Sequence, residues 1–94
     1  MTLKAEDMYF TTAYYDDDKH LRVELVWSNT ISDDKKRTTR VITFPTHIKG
    51  KPIAVIDGCS FYSYYWPSLK KVRIPRGVEL KCIRLEKGVE IEYY

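Results

Sequence analysis

The chain has 94 residues, a net charge of +3, a hydrophobic fraction of 44% and an aromatic fraction of 14%, which is enough for a folded domain. A chain this short buries only about 60–65% of its unfolded surface, so we expect one domain, residues 1–94, with a thin core. The mild positive charge permits an acidic partner without requiring one, and no stretch approaches the roughly 20 apolar residues of a membrane span, so no membrane partner is expected.

The first predicted elements form an N-terminal β-hairpin. Residues 1–8 predict a short arm or a helical turn, and they lack the apolar core of a signal peptide. The aromatic and β-branched run at 8–15 predicts a strand. After a polar turn at 16–19, residues 20–27 alternate polar and apolar residues as far as Leu25, which predicts a second, half-buried strand.

A polar segment separates this hairpin from the second half of the chain. It covers residues 28–39 and has a charge run at 33–37. Polar connections of this kind lie on the surface and move more than the elements they join. The segment therefore predicts the longest and most mobile loop of the chain.

A seven-residue motif occurs twice in the second half of the chain, at 42–48 and 72–78. Each copy runs apolar, polar, apolar, proline, two polar residues, apolar, and a copy without the proline follows at 83–89. Because internal repeats decide architecture, each copy predicts one short strand of a stacked sheet with a buried and an exposed row. The predicted core consists of Ile42, Phe44, Ile56, Phe61, Leu69, Val72 and Ile74.

The residues between the first two copies carry a resemblance to a known family. In chain order they are the break Gly50-Lys51-Pro52, the apolar run Ile53–Ile56 (a strand or a helix), the turn Asp57-Gly58, the core anchor Phe61, the aromatic segment 59–66 and the start of the second copy at Ser68-Leu69-Lys70. Over about residues 40–80 this pattern resembles the BspA-like leucine-rich repeat. In that family a strand ending in Ile-Pro leads through Gly-Lys-Pro to a turn containing Phe.

The resemblance implies a binding scaffold, since relatives of this type look like surface or secreted proteins that hold other proteins and share no catalytic residues. The third copy begins only eleven residues after the second, so the last strands either stack as a further turn or close in an antiparallel way. The expected fold is mainly β. It consists of a hairpin cap and loop at 1–39, packed on a short leucine-rich-repeat sheet at 40–94.

The reactive side chains predict neither a metal site nor a cofactor. Cys59 and Cys82 do not make a disulfide framework and indicate two unpaired thiols in a reducing compartment. His20 and His47 are isolated from the cysteines, whereas structural zinc needs four ligands. No nucleophile–base set or phosphate loop marks an enzyme. We expect a cytoplasmic protein, with secretion as the alternative if a leader has been removed.

Two features stand out as predicted binding sites, and the first is basic. If the apolar residues of each copy face the core, the middle residues Thr43, Arg73 and Arg84 face solvent. Arg73 and Arg84 are then expected side by side on neighbouring strands, with Lys71 and Arg76 nearby. The alternatives are a merely solvated basic face and a site for an acidic protein surface or for nucleic-acid phosphates.

The second feature is the aromatic run Tyr62, Tyr64, Tyr65 and Trp66. These four rings beside Phe61 exceed what one turn is expected to bury. One alternative is a local core cluster. The other is an exposed patch that binds a partner, because Tyr and Trp dominate the binding energy of interfaces and also stack on bases.

These patterns predict a non-enzymatic protein–protein interaction module that binds another protein with an acidic surface. Such a small chain suits an intracellular inhibitor, for example a phage or mobile-element protein that blocks a host defence in an anti-CRISPR-like manner. The alternative is a small basic nucleic-acid-binding protein that uses an arginine and aromatic face. The predicted partner-binding residues are Arg73, Arg84, Lys71, Arg76, Tyr62, Tyr64, Tyr65 and Trp66.

Overall fold

The computed structural model describes residues 1–14, 17–25 and 31–94, and within them the fold is mainly β, as predicted. A single 3-10 turn at Ala5–Asp7 precedes the first strand. The described elements are β1 (Met8–Tyr14), β2 (Asp17–Leu25), α1 (Asp33–Thr38), β3 (Val41–Thr43), β4 (His47–Ile48), β5 (Lys51–Asp57), β6 (Ser60–Phe61), β7 (Lys71–Ile74), β8 (Glu79–Lys81), β9 (Arg84–Leu85) and β10 (Glu90–Tyr93). No helix in these ranges is long and apolar enough to cross a membrane.

The N-terminal hairpin is confirmed. β1 and β2 pair antiparallel from Met8 opposite Leu25 to Tyr14 opposite Asp17. Residues 17–19, expected in a turn, instead begin β2. The predicted ends of the two strands at residue 15 and at 26–27 lie outside the described residues.

The second half of the chain winds as a short coil whose successive turns pair in parallel. β3, β7 and β10 form one sheet, β5 pairs with β8, and β6 pairs with β9. In the first sheet, paired residues are 30 positions apart from Val41 to Lys71 and 19 apart from Lys71 to Glu90. Antiparallel closure of the last strands is therefore wrong, and the second turn of the coil is shorter than the first.

The third copy of the seven-residue motif does not lie beside the second. β9, which contains Arg84, pairs with β6, and β10 occupies the place next to β7. Any short strand that precedes a turn can show this alternation of apolar and polar residues, so the motif could not distinguish β9 from β10. β10 lies beside β7 because the second turn of the coil uses 19 residues, whereas the first uses 30.

The first turn of the coil is capped by the N-terminal residues. The Met1 ammonium donates to the Val41 carbonyl at 2.7 Å, and Leu3 N donates to the Thr43 carbonyl at 2.9 Å, which extends the sheet beyond β3. β2 pairs in parallel with β5 on the side away from β8. The N-terminal part therefore covers the edge of the β3–β7–β10 sheet and the edge of β5 at the same end of the coil, as a repeat stack requires.

The core is continuous between the hairpin and the coil. All seven residues of the predicted core are buried in one cluster. The cluster also takes Leu3, Leu21 and Val23 from the N-terminal part. Two details of the chain path serve this core. The apolar run at 53–56 lies within strand β5, and Lys49 and Gly50, both with positive φ, make the tight turn from β4 into β5.

The polar segment before the coil contains a helix where a loop was predicted. Ser32 caps the N-terminus of α1, because its Oγ accepts a hydrogen bond from Lys35 N at 3.2 Å. Acidic residues fill the first turn and basic residues the last, which complements the helix dipole. The expectation of a loop is therefore wrong for 33–38, and residues 28–30 lie outside the described part.

An ion-pair network spans the outer side of β2 and β5. Arg22 Nη2 lies 2.7 Å from Asp57 Oδ2 and 2.7 Å from Glu24 Oε1. The hydrogen bond from Arg22 holds the pKa of the Asp57 carboxyl below its ordinary value. A carboxyl with a lowered folded-state pKa stabilises the fold above its unfolded pKa, and this stabilisation is lost as the pH falls.

We expect Asp57→Asn to lower the melting temperature at pH 7 and to lower it less at pH 3, where the wild-type carboxyl is also becoming protonated. Thermal unfolding followed by circular dichroism at the two pH values measures the difference. Asp18→Asn, which removes a carboxylate outside this network, serves as the control. A gap between Asp57→Asn and wild type that does not change with pH would contradict the assignment.

Candidate binding site

The aromatic run forms a tight turn that sorts its rings between core and solvent. After β6, the backbone N–H groups of Tyr65 and Trp66 both donate to the Tyr62 carbonyl at 2.9 Å. This turn directs Trp66 inward, where it is only 5% exposed and lies 6.5 Å from the Phe61 ring centroid. Tyr64 points outward and is 86% exposed. Trp66 is therefore a core residue, and the alternative in which its ring belongs to an exposed patch is wrong.

Tyr64 and Tyr65 form one wall of a groove, which we call the aromatic groove. Tyr64 is exposed, whereas Tyr65 is partly buried and packs against the core. The rings of Tyr64 and Tyr65 meet edge to face with centroids 4.8 Å apart. The groove has a volume of about 320 Å³, which lies at the small end of known ligand sites. It is lined by Tyr64, Tyr65 and Pro67 on the side of the turn and by Asp33, Lys36 and Arg37 of α1.

Hydrogen bonds hold both walls of the aromatic groove in place. Ser68 Oγ donates to the Arg37 carbonyl at 2.6 Å, which joins the end of the aromatic turn to α1. On the other side, Glu86 Oε1 accepts from both the backbone N and the Oγ of Ser63 at 3.1 Å. A turn fixed from two sides presents its tyrosines with little further loss of entropy on binding.

The charges around the groove nearly balance, with Lys36 and Arg37 beside Asp33 and Asp34. Two cations, Lys36 and Arg37, line it with one carboxylate, Asp33. Arg37 also contacts Asp34 of the same helix. Tyr62 is 36% exposed and does not line the groove, so of the predicted aromatic residues the structure brings together Tyr64 and Tyr65.

The predicted basic face is largely neutralised. Arg73 Nε lies 3.1 Å and Lys71 Nζ 3.5 Å from Glu92 Oε2 on the neighbouring strand β10. The Arg73 guanidinium also stacks 4.6 Å from the centroid of the Tyr94 ring. Both cations are therefore engaged within the protein itself.

The two arginines of the predicted face lie in different sheets. Arg73 is in β7 and Arg84 in β9, so the expectation that they are neighbours is wrong. Arg76 is exposed in the turn after β7, where its backbone N donates to the Tyr94 carbonyl at 2.8 Å. Among the described residues, Arg76 and Arg84 have no ion-pair partner, and Arg84 lies in a different sheet from Arg73.

The two cysteines are free and differ in environment. Burial raises the pKa of the Cys59 thiol to about 11, so it is not a nucleophile near neutral pH. Its Sγ accepts from Leu25 N at 3.3 Å inside the core, whereas Cys82 is exposed. In the ranges that the structure describes, no group of three His, Cys, Asp or Glu side chains could hold a metal ion.

Fold and site together define a small parallel β-coil with an N-terminal hairpin cap and one aromatic groove at its side. No protein-family model matches the chain, and neither a curated protein nor a solved structure is similar to it. The sequence pointed to Tyr64 and Tyr65 but missed the α1 wall. The signal was the order of a serine cap, two acids and three bases at 32–37, which is typical of a short helix.

Proposed function

We propose that the protein is a non-enzymatic protein-binding module whose aromatic groove holds a segment of a partner protein. One observation carries this proposal. Tyr64, a large aromatic side chain, stands almost fully in solvent at the rim of a groove whose walls are fixed by hydrogen bonds. Tyrosine supplies a large contact area at low entropic cost, which is why it is enriched where proteins bind each other.

The partner segment is expected to combine apolar and acidic character. Tyr64, Tyr65 and Pro67 offer faces for an apolar or aromatic side chain. Lys36 and Arg37 of α1 are the cations that a partner carboxylate would contact, in exchange for the present pair of Arg37 with Asp34. This agrees with the sequence-based expectation of an acidic partner surface. That this protein acts as an intracellular inhibitor of its partner stays a prediction.

The architecture supports a binding role rather than catalysis. The parallel turns of the coil and the N-terminal cap are consistent with the resemblance to BspA-like leucine-rich repeats, which implies a binding scaffold. Among the residues that the structure describes, the shifted pKa values belong to Arg22, Asp57 and Cys59, outside the aromatic groove, and each shift has a structural cause in an ion pair or in burial.

Nucleic-acid binding through the basic side chains is the weaker alternative. A phosphate backbone would have to displace Glu92 from Lys71 and Arg73, and Arg84 lies in a different sheet from Arg73. Salt separates the two proposals, because each neutralised phosphate adds nearly one unit to the slope of log affinity against log salt. Binding through the aromatic groove predicts a shallow slope.

We expect the double variant Tyr64→Ala, Tyr65→Ala to weaken partner binding by about 30-fold or more, since central tyrosines of interfaces carry roughly 2 kcal/mol or more. The wild-type protein is first used to capture its partner from the cells that produce it. The dissociation constant is then measured with both purified proteins by calorimetry, at several salt concentrations.

Tyr9→Ala is the control, because Tyr9 is another exposed tyrosine, on β1 and outside the groove. It should bind like the wild type. Equal affinity of the double variant and the wild type would overturn the groove as the binding site. A steep salt slope together with loss of binding in Arg76→Glu, Arg84→Glu would establish the nucleic-acid alternative.

A further inference from the structure

The outer edge of β10 offers unpaired backbone groups. Within the described residues, β10 pairs with β7 on one side and with no strand on the other. Glu90 N donates to the Lys70 carbonyl and Tyr94 N to the Ile74 carbonyl, both at 3.0 Å. Because the groups of a strand alternate in direction, the N–H and C=O of Ile91 and Tyr93 point to the free edge.

The same end of the coil leaves its core side chains partly uncovered. Three residues of the last turn lie in register with fully buried residues of the turn before, yet they are only partly buried themselves. The pairs are Ile91 with Val72, Leu80 with Ile56, and Leu85 with Phe61. A strand added beside β10 would cover apolar area at this end, in contrast to the N-terminal end, where Met1–Leu3 and β2 already do so.

The charges of β10 indicate what kind of strand fits there. Glu90 and Glu92 are both exposed on the outer face. On its inner side β10 already pairs with the sequence Lys71-Val72-Arg73-Ile74, and both cations of that sequence contact Oε2 of Glu92. Oε1 of Glu92 takes part in neither contact, and Glu90 has no ion-pair partner among the described residues.

We propose that the free edge of β10 accepts a β-strand of a partner protein in which Lys or Arg alternates with apolar residues. The backbone of this strand pairs with Ile91 and Tyr93, its basic side chains reach Glu90 and Glu92, and its apolar side chains cover Ile91 and the open end of the core. A second copy of this chain is a poorer occupant. Its own β10 would bring two further carboxylates against the first two, and like charges across strands are destabilising.

A synthetic peptide with the sequence of residues 68–75, Ser-Leu-Lys-Lys-Val-Arg-Ile-Pro, is a suitable probe because the protein itself shows that this strand fits β10. Fluorescence anisotropy of the labelled peptide with the full chain should show saturable binding that weakens with salt. The same peptide with glutamate at its second lysine and its arginine should bind at least about tenfold more weakly.

The matched variants Tyr93→Pro and Tyr93→Ala separate backbone pairing from side-chain contact. Both remove the tyrosine ring, but only proline removes the N–H at the free edge, and the pairing of β10 with β7 does not use that N–H. We expect Tyr93→Pro to bind the peptide about tenfold more weakly than Tyr93→Ala. Circular dichroism confirms the fold of each variant, and Glu90→Lys tests the charge without any backbone change.

The outcomes decide between occupants. Equal binding of both peptides, or no binding by the folded wild type, would overturn the proposal. Sedimentation that shows a wild-type dimer lost in Tyr93→Pro would assign the edge to a second copy and would also overturn it. The proposal is independent of the aromatic groove, since Tyr64→Ala, Tyr65→Ala should bind the peptide like the wild type.

Discussion

Replacement of Phe61 by alanine is expected to lower the free energy of unfolding by about 3–5 kcal/mol. Phe61 is 1% exposed at the centre of the coil. Its ring meets Phe44 edge to face at 6.4 Å and Trp66 at 6.5 Å between centroids, so truncation leaves a cavity lined by two aromatic rings. Small domains are stable by only about 5–15 kcal/mol, so the variant loses a large share of its stability.

Urea denaturation followed by circular dichroism measures this loss by linear extrapolation. Phe10→Ala is the control, because Phe10 is a phenylalanine of β1 that is only partly buried and lies 5.5 Å beneath the Lys49 ammonium. It should cost clearly less than Phe61→Ala. A loss for Phe61→Ala no larger than that of the control would show that the first turn of the coil is not the centre of the core.

The local pattern of each strand could be predicted from the sequence. In Val72-Arg73-Ile74 the alternation places two apolar side chains inward, and both are buried while Arg73 remains partly exposed. The same reasoning found the hairpin, whereas the core position of Phe61 was predicted from the repeat pattern. These features depend on residues close in the chain, where the period of two in a strand determines the burial.

The pairing of the strands could not be predicted in the same way. β9 and β10 both carry an apolar-polar-apolar pattern, and the sequence alone favoured Arg84 over Glu92 as the neighbour of Arg73. The difference lies in the number of residues that each turn of the coil uses, which depends on how the corners pack. This error changed the chemistry of the face from two adjacent arginines to an ion pair of Arg73 with Glu92.

Only one wall of the aromatic groove could be predicted from the sequence, for a similar reason. The number of tyrosines predicted a candidate binding surface, but the opposite wall of the groove comes from α1, about 30 residues earlier in the chain. The Ser68–Arg37 hydrogen bond that joins the two walls is a long-range contact with no local signal. Likewise, the division of the aromatic run between core and solvent follows from the hydrogen bonds of one turn.

Trp66→Ala is expected to destabilise the fold by about 3–5 kcal/mol, whereas Tyr64→Ala, two positions earlier, should change its stability by less than about 0.5 kcal/mol. The contrast follows from burial, since Trp66 is packed against Phe61 and Tyr64 stands in solvent. Urea denaturation of both single variants measures it.

The double variant Phe61→Ala, Trp66→Ala adds a second test of the same packing. Because the two rings are in contact, their cavities merge, and the double change should cost less than the sum of the single changes by about 0.5–3 kcal/mol. Strict additivity would mean that Trp66 packs elsewhere. If instead Trp66→Ala kept full stability but lost partner binding, the whole aromatic run would lie on the surface. The turn described for residues 62–66, which places Trp66 in the core, would then be incorrect.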